Sequence, residues 1–163
     1  MTACLQYGKS NVIEFDVAPT SILLDRPGPL GEPLDDPAAA VAAGLASPLD
    51  FPPLSQAITP EDRVAITVPA GVPAAQAIVA GTVYALTEAG IAADQITIVE
   101  ERGEAFRAGR DIVDGLPHEY RRQVRVVVHD PTDRDQLSYL AANEDGEASY
   151  FQRDIGEADV VIP

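Results

Sequence analysis

The sequence predicts an α/β fold: a three-layer, Rossmann-like sandwich with a mostly parallel central sheet and an added N-terminal β-hairpin. First, short apolar runs, typical of strands buried on both faces, alternate with helical segments over residues 63–163. Second, the connecting helices are long enough for right-handed crossovers, which place parallel strands side by side with helices on both faces. Third, apolar and charged side chains alternate in residues 4–17, which indicates the hairpin.

The N-terminal third of the chain is predicted to hold little regular structure beyond this hairpin. In residues 4–17 the letters GKSN supply the turn, and we expect one face to be buried and the other to face water. Residues 18–62 contain nine prolines, which remove backbone donors and restrict the residues before them. This range is predicted as a Pro-rich connection with one short helix, in which Asp36 is the N-cap and Pro37 the first helical residue.

Residues 63–163 are predicted to form the β/α alternation, and the whole chain 1–163 is interpreted as one domain. Gly90 and Ile91 fit a left-handed helix cap and its hydrophobic contact. Because a strand emerges at Pro163, we expect the natural protein to continue. The predicted elements are a strand at Val64–Val68, a helix at Pro73–Ala89, a strand at Ile96–Val99, a helix at Ala105–Val113, a helical turn after Pro117, a strand at Val124–Val128, a short helix from a Thr132/Asp135 capping box to Leu140, an edge strand in ASYFQR and a strand in DVVIP.

The composition excludes several classes of partner. Asp and Glu number 26 against 11 Lys and Arg, giving a formal net charge of −15 that repels nucleic-acid phosphates and anionic lipid. No apolar run approaches the ~20 residues of a membrane span, and MTACLQYGKS has no apolar leader, so the protein is predicted to be cytoplasmic. Cys4, His118 and His129 are the only cysteine and histidines, and no disulfide or metal site is predicted.

Three turns are candidate positions for a ligand site, because ligands of open parallel sheets bind beyond the carboxyl ends of the strands. They are Thr67–Pro73, Glu100–Ala105 and His129–Thr132. The first offers the Thr67 hydroxyl, backbone N–H groups near Gly71 and a helix N-terminus, which favour an anion. It lacks the G-x-G-x-x-G pattern of dinucleotide sites, and a purely structural turn is the alternative.

The second turn concentrates charge in Glu100, Glu101, Arg102 and Glu104. Two carboxylates can divide the roles of acid and base when their environments separate their pKa values. Adjacent strand residues point to opposite faces, so we expect at most one of Glu100 and Glu101 to face a cleft. The alternative is a solvated charge cluster with a local ion pair to Arg102.

The third turn places His129 at the end of a buried strand, beside Asp130. An imidazole titrates near neutral pH and therefore suits a general base or a metal ligand. A histidine hydrogen-bonded to the backbone is the alternative. The spacing of Asp130, Asp133 and Asp135 does not match a calcium loop, and His118 is predicted to lie on the surface.

The order of these motifs resembles the N-terminal domain of the nickel-dependent lactate racemase family. The matching segments are LASPLDFPPL, RVAITVPAGVP, the helix to EAGI, ITIVEERGEA, VVVHDPTDRDQL and GEASYFQRDIGEADVVIP. The resemblance implies an α/β domain that shares an active site with a C-terminal domain of the same protein. It also implies inversion of a 2-hydroxy acid by a nickel pincer nucleotide tethered to a lysine, with histidines as acid and base. That lysine and the metal-ligating histidine are expected beyond residue 163, so no cofactor is predicted within this chain.

The first turn departs from the family pattern where the substrate would be held. The family sequence D-x-T-R-P-V-P aligns through Val72 and Pro73, and Ala70 then stands in place of its arginine. Thr67 replaces the aspartate, and Gly71 replaces the first proline. An arginine grips a carboxylate through two charge-assisted hydrogen bonds, whereas alanine provides none.

The second turn departs from the family pattern G-x-H. Matching its glycine to Gly103 sets Ala105 against the histidine, and a shift by one residue sets Glu104 there, where a carboxylate can accept a proton. Glu104 and His129 are therefore the candidate catalytic residues. The candidate substrate- or cofactor-binding positions are Thr67, Ala70, Gly71, Gly103, His129 and Asp130.

Two functional hypotheses follow from the resemblance. In the first, the protein is a racemase-like enzyme that acts on a small 2-hydroxy acid with altered substrate-binding residues. In the second, it is a non-catalytic module that binds a ligand or a partner protein. An unrelated nucleotide-binding α/β domain is a third interpretation, disfavoured by the missing glycine fingerprint.

Overall fold

The chain folds as two units, and the larger one contains the parallel sheet. In the computed structural model these units are Met1–Pro33 and Leu34–Pro163. The residues that the structure describes are 2–7, 11–21, 32–101 and 111–163.

The first unit contains the predicted antiparallel hairpin of β1 (Thr2–Tyr7) and β2 (Asn11–Asp16). The prediction that one face of this hairpin is buried is wrong. Leu5 and Ile13, which pair across the hairpin, and Phe15 are each about half exposed. A two-stranded sheet has no second layer of its own to cover its apolar side chains.

The second unit alternates helices and strands in the way the sequence predicts. Short 3-10 turns lie at 93–95, 112–115 and 134–136. Its other described elements, in chain order, are α1 (Pro37–Ala46), α2 (Leu54–Ala57), β3 (Val64–Val68), α3 (Ala75–Glu88), β4 (Ile96–Glu101), α4 (His118–Arg121), β5 (Arg125–His129), β6 (Leu137–Ala142), β7 (Ala148–Gln152), α5 (Arg153–Gly156) and β8 (Val160–Ile162).

The central sheet has four parallel strands in the order β5–β4–β3–β8, which confirms the predicted α/β class. Ile66 of β3 pairs with Ile98 of β4 and with Ile162 of β8. Ile66 and Ile98 share one hydrophobic core with Leu86 of α3, which is fully buried. Burial of these aliphatic side chains against α3 stabilises the unit.

The edge strand β8 is held beside β3 by an ion pair at its start. The carboxylate of Asp159 accepts hydrogen bonds from the backbone N–H of Arg63 at 2.9 Å and from its Nε at 3.1 Å. The Arg63 guanidinium and backbone N–H hold the pKa of Asp159 below its usual value. Both side chains are about half exposed, so the pair orients β8 more than it stabilises the fold.

Helix α3 ends at the predicted cap. Gly90 has φ +103° and donates its N–H to the Thr87 carbonyl at 3.1 Å, while the buried Ile91 donates to the Leu86 carbonyl at 3.1 Å. This pair of bonds satisfies two of the carbonyls that a helix end leaves free. The helix begins at Ala75 instead of Pro73, because Ala74 adopts a left-handed conformation with φ +53°.

Helix α1 begins as predicted, with Asp36 accepting the N–H of Ala39 at 2.9 Å and Pro37 in the first turn. The described part of the Pro-rich range contains a second, four-residue helix, α2, where the sequence predicts only one. It follows Pro53, whose fixed φ suits the residue before a first helical turn.

The prediction of a short helix that reaches Leu140 is wrong. Asp133 accepts the N–H of Asp135 at 3.0 Å and caps a single 3-10 turn, and β6 follows at once. β6 pairs antiparallel with β7, so that ASYFQR forms a hairpin strand in a separate two-stranded sheet. Pairing between strands overrides the weak local preference for a helix.

Most of the helix predicted over Ala105–Val113 lies outside the described residues. Its last part is a 3-10 turn that begins at Ile112 and is capped by the Asp111 side chain. The helical turn predicted after Pro117 is confirmed as α4. The third central strand is shifted by one residue, so that His129 is its last member.

Candidate functional site

The carboxyl ends of β3, β4 and β5 open into one cavity of about 270 Å³. The parallel register places these ends at the same edge, since Val68 pairs with Glu100, and Glu101 pairs with His129. The three turns singled out by the sequence therefore contribute to a common site. Its described lining consists of Thr67, Val68, Pro69, Val99, Glu100, Glu101, His129, Tyr150, Phe151, Gln152 and Ile155.

Among the predicted site residues, Thr67 and His129 belong to this lining, and Ala70 and Gly71 follow it in the first turn. Gly71 has φ +85°, a conformation that favours glycine and turns the chain away from β3. Gly103 and Glu104 lie outside the described residues, so their predicted roles stay predictions.

Asp130 shapes the third turn instead of lining the cavity. Its Oδ1 accepts the backbone N–H of Thr132 at 2.9 Å and the Thr132 hydroxyl at 2.6 Å. This local ring of hydrogen bonds is an Asx turn, which redirects the chain directly after His129. A binding role for Asp130 stays a prediction.

Glu100 and Glu101 both belong to the described lining, and the strand register places them on opposite faces of the sheet, with Glu101 beside His129 and Glu100 beside Val68. The expectation that at most one of the two side chains faces a cleft stays a prediction. The cavity lies at the end of β4, where side chains from both faces of the sheet can border it. Glu101 also joins the first two turns, because its Oε2 accepts the backbone N–H of Ala70 at 3.1 Å. The proposed partner Arg102 lies outside the described residues.

Glu100 has a pKa raised above its ordinary value of 4.5, first by burial and then by the negative charge of Asp111. Burial disfavours the charged form because the carboxylate loses hydration, and a nearby anion adds repulsion. At neutral pH the folded protein therefore carries this charge at a cost in stability.

Glu100→Gln is expected to stabilise the fold slightly at pH 7. A raised folded-state pKa means that the charged form costs stability above that pKa, and that this cost disappears once the carboxyl is protonated in both the folded and unfolded states. The advantage of Glu100→Gln should therefore shrink as the pH falls towards 4.5. Urea unfolding between pH 7 and pH 4 measures this difference, with the exposed Glu61→Gln as a control. An advantage that is constant over this range would contradict the assignment.

His129 is half-buried at the end of β5, and its Nδ1 is buried without a hydrogen-bond partner among the described residues. The alternative interpretation was a histidine that is hydrogen-bonded to the backbone. Among the described residues, Nδ1 of His129 makes no such hydrogen bond. Glu101 is its lateral neighbour on β4 and extends from the same face of the sheet. An imidazole in this position can accept or donate a proton inside the cavity.

The β6–β7 hairpin supplies one wall that sequence reasoning missed. Gln152 is 4% exposed, and its Oε1 accepts the N–H of Ile155 at 3.3 Å, which starts α5. Its Nε2 donates to Asp154 at 3.0 Å, and Asp154 also pairs with Arg125 of β5. Burial alone would raise the pKa of Asp154, but the hydrogen bonds from Arg125 and Gln152 lower it. This network ties the wall to the central sheet.

Two aromatic side chains of the same hairpin, Tyr150 and Phe151, complete the wall. The Arg134 guanidinium lies 4.7 Å from the centre of the Tyr150 ring, and Tyr139 packs against that ring edge-to-face at 6.2 Å. Aromatic residues in ASYFQR are the only sequence signal for this wall. They do not reveal that the hairpin folds back to the strand ends.

The described residues do not fit a nickel site or a tethered nucleotide. No group of three or more His, Cys, Asp or Glu side chains within them is placed to hold a metal ion. The single lysine of the sequence, Lys9, falls between β1 and β2, outside the described residues.

Among the helices that the structure describes, none is long and apolar enough to cross a membrane.

Comparisons with known proteins identify the fold and the family of this chain. No curated protein matches the sequence. Among solved structures, the lactate racemase apoprotein from Thermoanaerobacterium thermosaccharolyticum is similar, with a TM-score of 0.51 and 17% identity, which supports the shared fold. The match covers 99% of this chain and 38% of that one. The family model of the lactate racemase N-terminal domain matches residues 7–163. The chain therefore belongs to the lactate racemase N-terminal domain family.

Proposed function

We propose that this chain is the substrate-facing N-terminal part of a racemase or epimerase that inverts a carbon atom carrying a hydroxyl group. A C-terminal domain of the same protein and a cytoplasmic location belong to this proposal. The observation that carries it is the convergence of the three strand ends on one cavity that contains His129. A cavity with an acid–base side chain at the carboxyl edge of a parallel sheet is the usual arrangement of an α/β active site.

Within this proposal, His129 handles the proton of the substrate hydroxyl. Inversion requires the carbon to become planar, and the hydroxyl proton then needs an acceptor that later returns it. The imidazole lies in the cavity, and its Nδ1 makes no hydrogen bond to the described residues, so its position does not depend on a structural contact there. The Thr67 hydroxyl, near the end of β3, can orient the substrate oxygen.

The nickel pincer nucleotide of the family would supply the hydride acceptor when bound. The described residues contain no metal cluster, and the role that we propose for this chain is proton transfer and substrate orientation. Ala70 and Thr67, in place of the family arginine and aspartate, imply that the substrate is held differently.

A non-catalytic ligand-binding module is the second candidate function. The observation that favours it is that the described lining contains no lysine or arginine to hold a 2-hydroxy acid. Such a module would bind a ligand in the same cavity without changing it.

A stereochemical assay of the complete gene product, prepared with the nickel cofactor, tests the proposal. Each enantiomer of a panel of secondary alcohols and 2-hydroxy acids is incubated with the protein, and chiral chromatography follows the appearance of the other. We expect inversion of at least one compound. Binding without inversion would favour the module.

The 163-residue chain alone is expected neither to racemise lactate nor to retain nickel. The described residues contain no three-ligand cluster for a metal, and Ala70 provides no grip for a carboxylate. Elemental analysis and the same chiral assay measure both properties. Stoichiometric nickel or turnover of lactate by this chain would contradict the proposal that its role is proton transfer and substrate orientation.

A further inference from the structure

Three polar side chains of the site, those of Thr67, Glu101 and His129, lie on one face of the central sheet. Thr67 of β3 pairs with Val99 of β4, and Glu101 of β4 pairs with His129 of β5. Laterally paired residues of parallel strands point to the same face, and so do residues two apart along one strand, such as Val99 and Glu101. Because β4 lies between β3 and β5, Glu101 extends between the strand of the proposed base and the strand of the Thr67 hydroxyl.

The neighbouring carboxylate, Glu100, lies on the opposite face of the sheet. It pairs with Val68, which packs against the hydrophobic core covered by α3. On the other face, Arg125 lies four residues before His129 on β5 and forms an ion pair with α5. Of the two glutamates, Glu101 is therefore the one that shares a face with the proposed base and with the helix that follows the cavity wall.

A hydrogen bond joins the first turn to this glutamate. The backbone N–H of Ala70 donates to Oε2 of Glu101 at 3.1 Å. Within the described part of the chain, no other hydrogen bond links residues 69–73 to a neighbouring strand. The turn runs through left-handed residues at Gly71 and Ala74, so regular strand pairing does not fix its path. The Glu101 carboxylate is therefore the described contact that holds Ala70 in place relative to β4.

We propose that Glu101 is a positioning residue, which holds the first turn at a fixed separation from His129 so that the substrate lies between them. The inference rests on the proposed function, because it assigns a further role within the same site. Glu101 acts through its reach, since Oε2 bonds the Ala70 N–H while the strand register keeps its backbone beside His129. A misplacement of reacting groups by about 1 Å can lower a rate by about 100-fold.

Two variants of Glu101 separate this hydrogen bond from the negative charge. Glu101→Gln loses the charge but keeps a side-chain oxygen at the same distance from the backbone, and this oxygen can accept the Ala70 N–H. Glu101→Asp keeps the charge but is one methylene shorter, so its carboxylate falls short of that N–H. Glu61→Asp makes the same shortening at an exposed position outside the described lining and is the matched control.

Steady-state kinetics of the complete gene product, prepared with the nickel cofactor, tests the role in the reaction. We expect Glu101→Asp to lower kcat by about tenfold or more with a smaller change in KM, because misplaced groups affect the reacting geometry more than binding. Glu101→Gln and Glu61→Asp should stay within about twofold of the wild type. A loss in Glu101→Gln as large as that in Glu101→Asp, or a wild-type kcat in Glu101→Asp, would overturn the inference.

Hydrogen exchange of the Ala70 amide, followed by NMR in the 163-residue chain, tests the bond without catalysis. We expect exchange about tenfold faster in Glu101→Asp than in the wild type or Glu101→Gln, the factor that loss of one hydrogen bond of ordinary strength gives. Equal exchange in the two variants would contradict the inference. If the wild-type gene product inverts no compound, the proposed function fails, and these exchange rates alone decide whether Glu101 positions the turn.

Discussion

Replacing Gly81 with alanine is expected to lower the free energy of unfolding by about 1–3 kcal/mol, the usual cost of overpacking a close contact. A Cβ at Gly81 would lie 2.3 Å from the carbonyl oxygen of Ala38, closer than real Cβ contacts allow. The opposing atom belongs to the backbone of α1, so it cannot move aside as a flexible side chain would. Helices α1 and α3 would have to separate, and their packing would be lost.

Gly44→Ala, in the partner helix α1, is the matched control. No atom lies within 4 Å of a Cβ at this position, and the residue is helical. Alanine in place of an exposed helical glycine is expected to stabilise the protein by about 0.5–1 kcal/mol. Urea unfolding followed by circular dichroism measures both variants. A Gly81→Ala protein as stable as the wild type would show that α1 and α3 are not packed as described.

Replacing His129 with glutamine is expected to lower kcat of the complete gene product by about 100-fold or more, the typical contribution of a general acid–base residue. Glutamine keeps a polar side chain of similar length but cannot take up a proton. The Nδ1 atom makes no hydrogen bond to the described residues, so the folded structure should lose little stability there. Steady-state kinetics on the compound that the wild type inverts, measured across a range of pH, provides the readout.

His118→Gln is the control for this experiment. His118 is exposed at the start of α4 and is not one of the described lining residues. Its replacement should leave kcat and the pH profile unchanged. Retained activity in His129→Gln, with a wild-type pH profile, would remove His129 from the reaction and leave Glu104 as the remaining candidate base.

Much of the site was predictable from strand patterns alone. The apolar runs located β3 and β8, although only β3 contains buried residues, and the rule for parallel sheets directed attention to Thr67 and His129. The family resemblance and the matching family model agree on the family, and the model covers residues 7–163, which include the whole β/α alternation. The predicted helix over residues 132–140 failed because an isolated capping pattern cannot show that the following residues pair with a distant strand.

The sequence by itself determined the alternation of strands and helices and the caps at Asp36 and Gly90. These features depend on residues within one turn or strand of each other, so local patterns reveal them. Only the tertiary structure decided that Glu101 holds the Ala70 turn, 31 positions away, and that the β6–β7 hairpin supplies one wall of the cavity. Such contacts join residues far apart in the chain, and they form because burial and hydrogen bonding are satisfied by the folded chain as a whole.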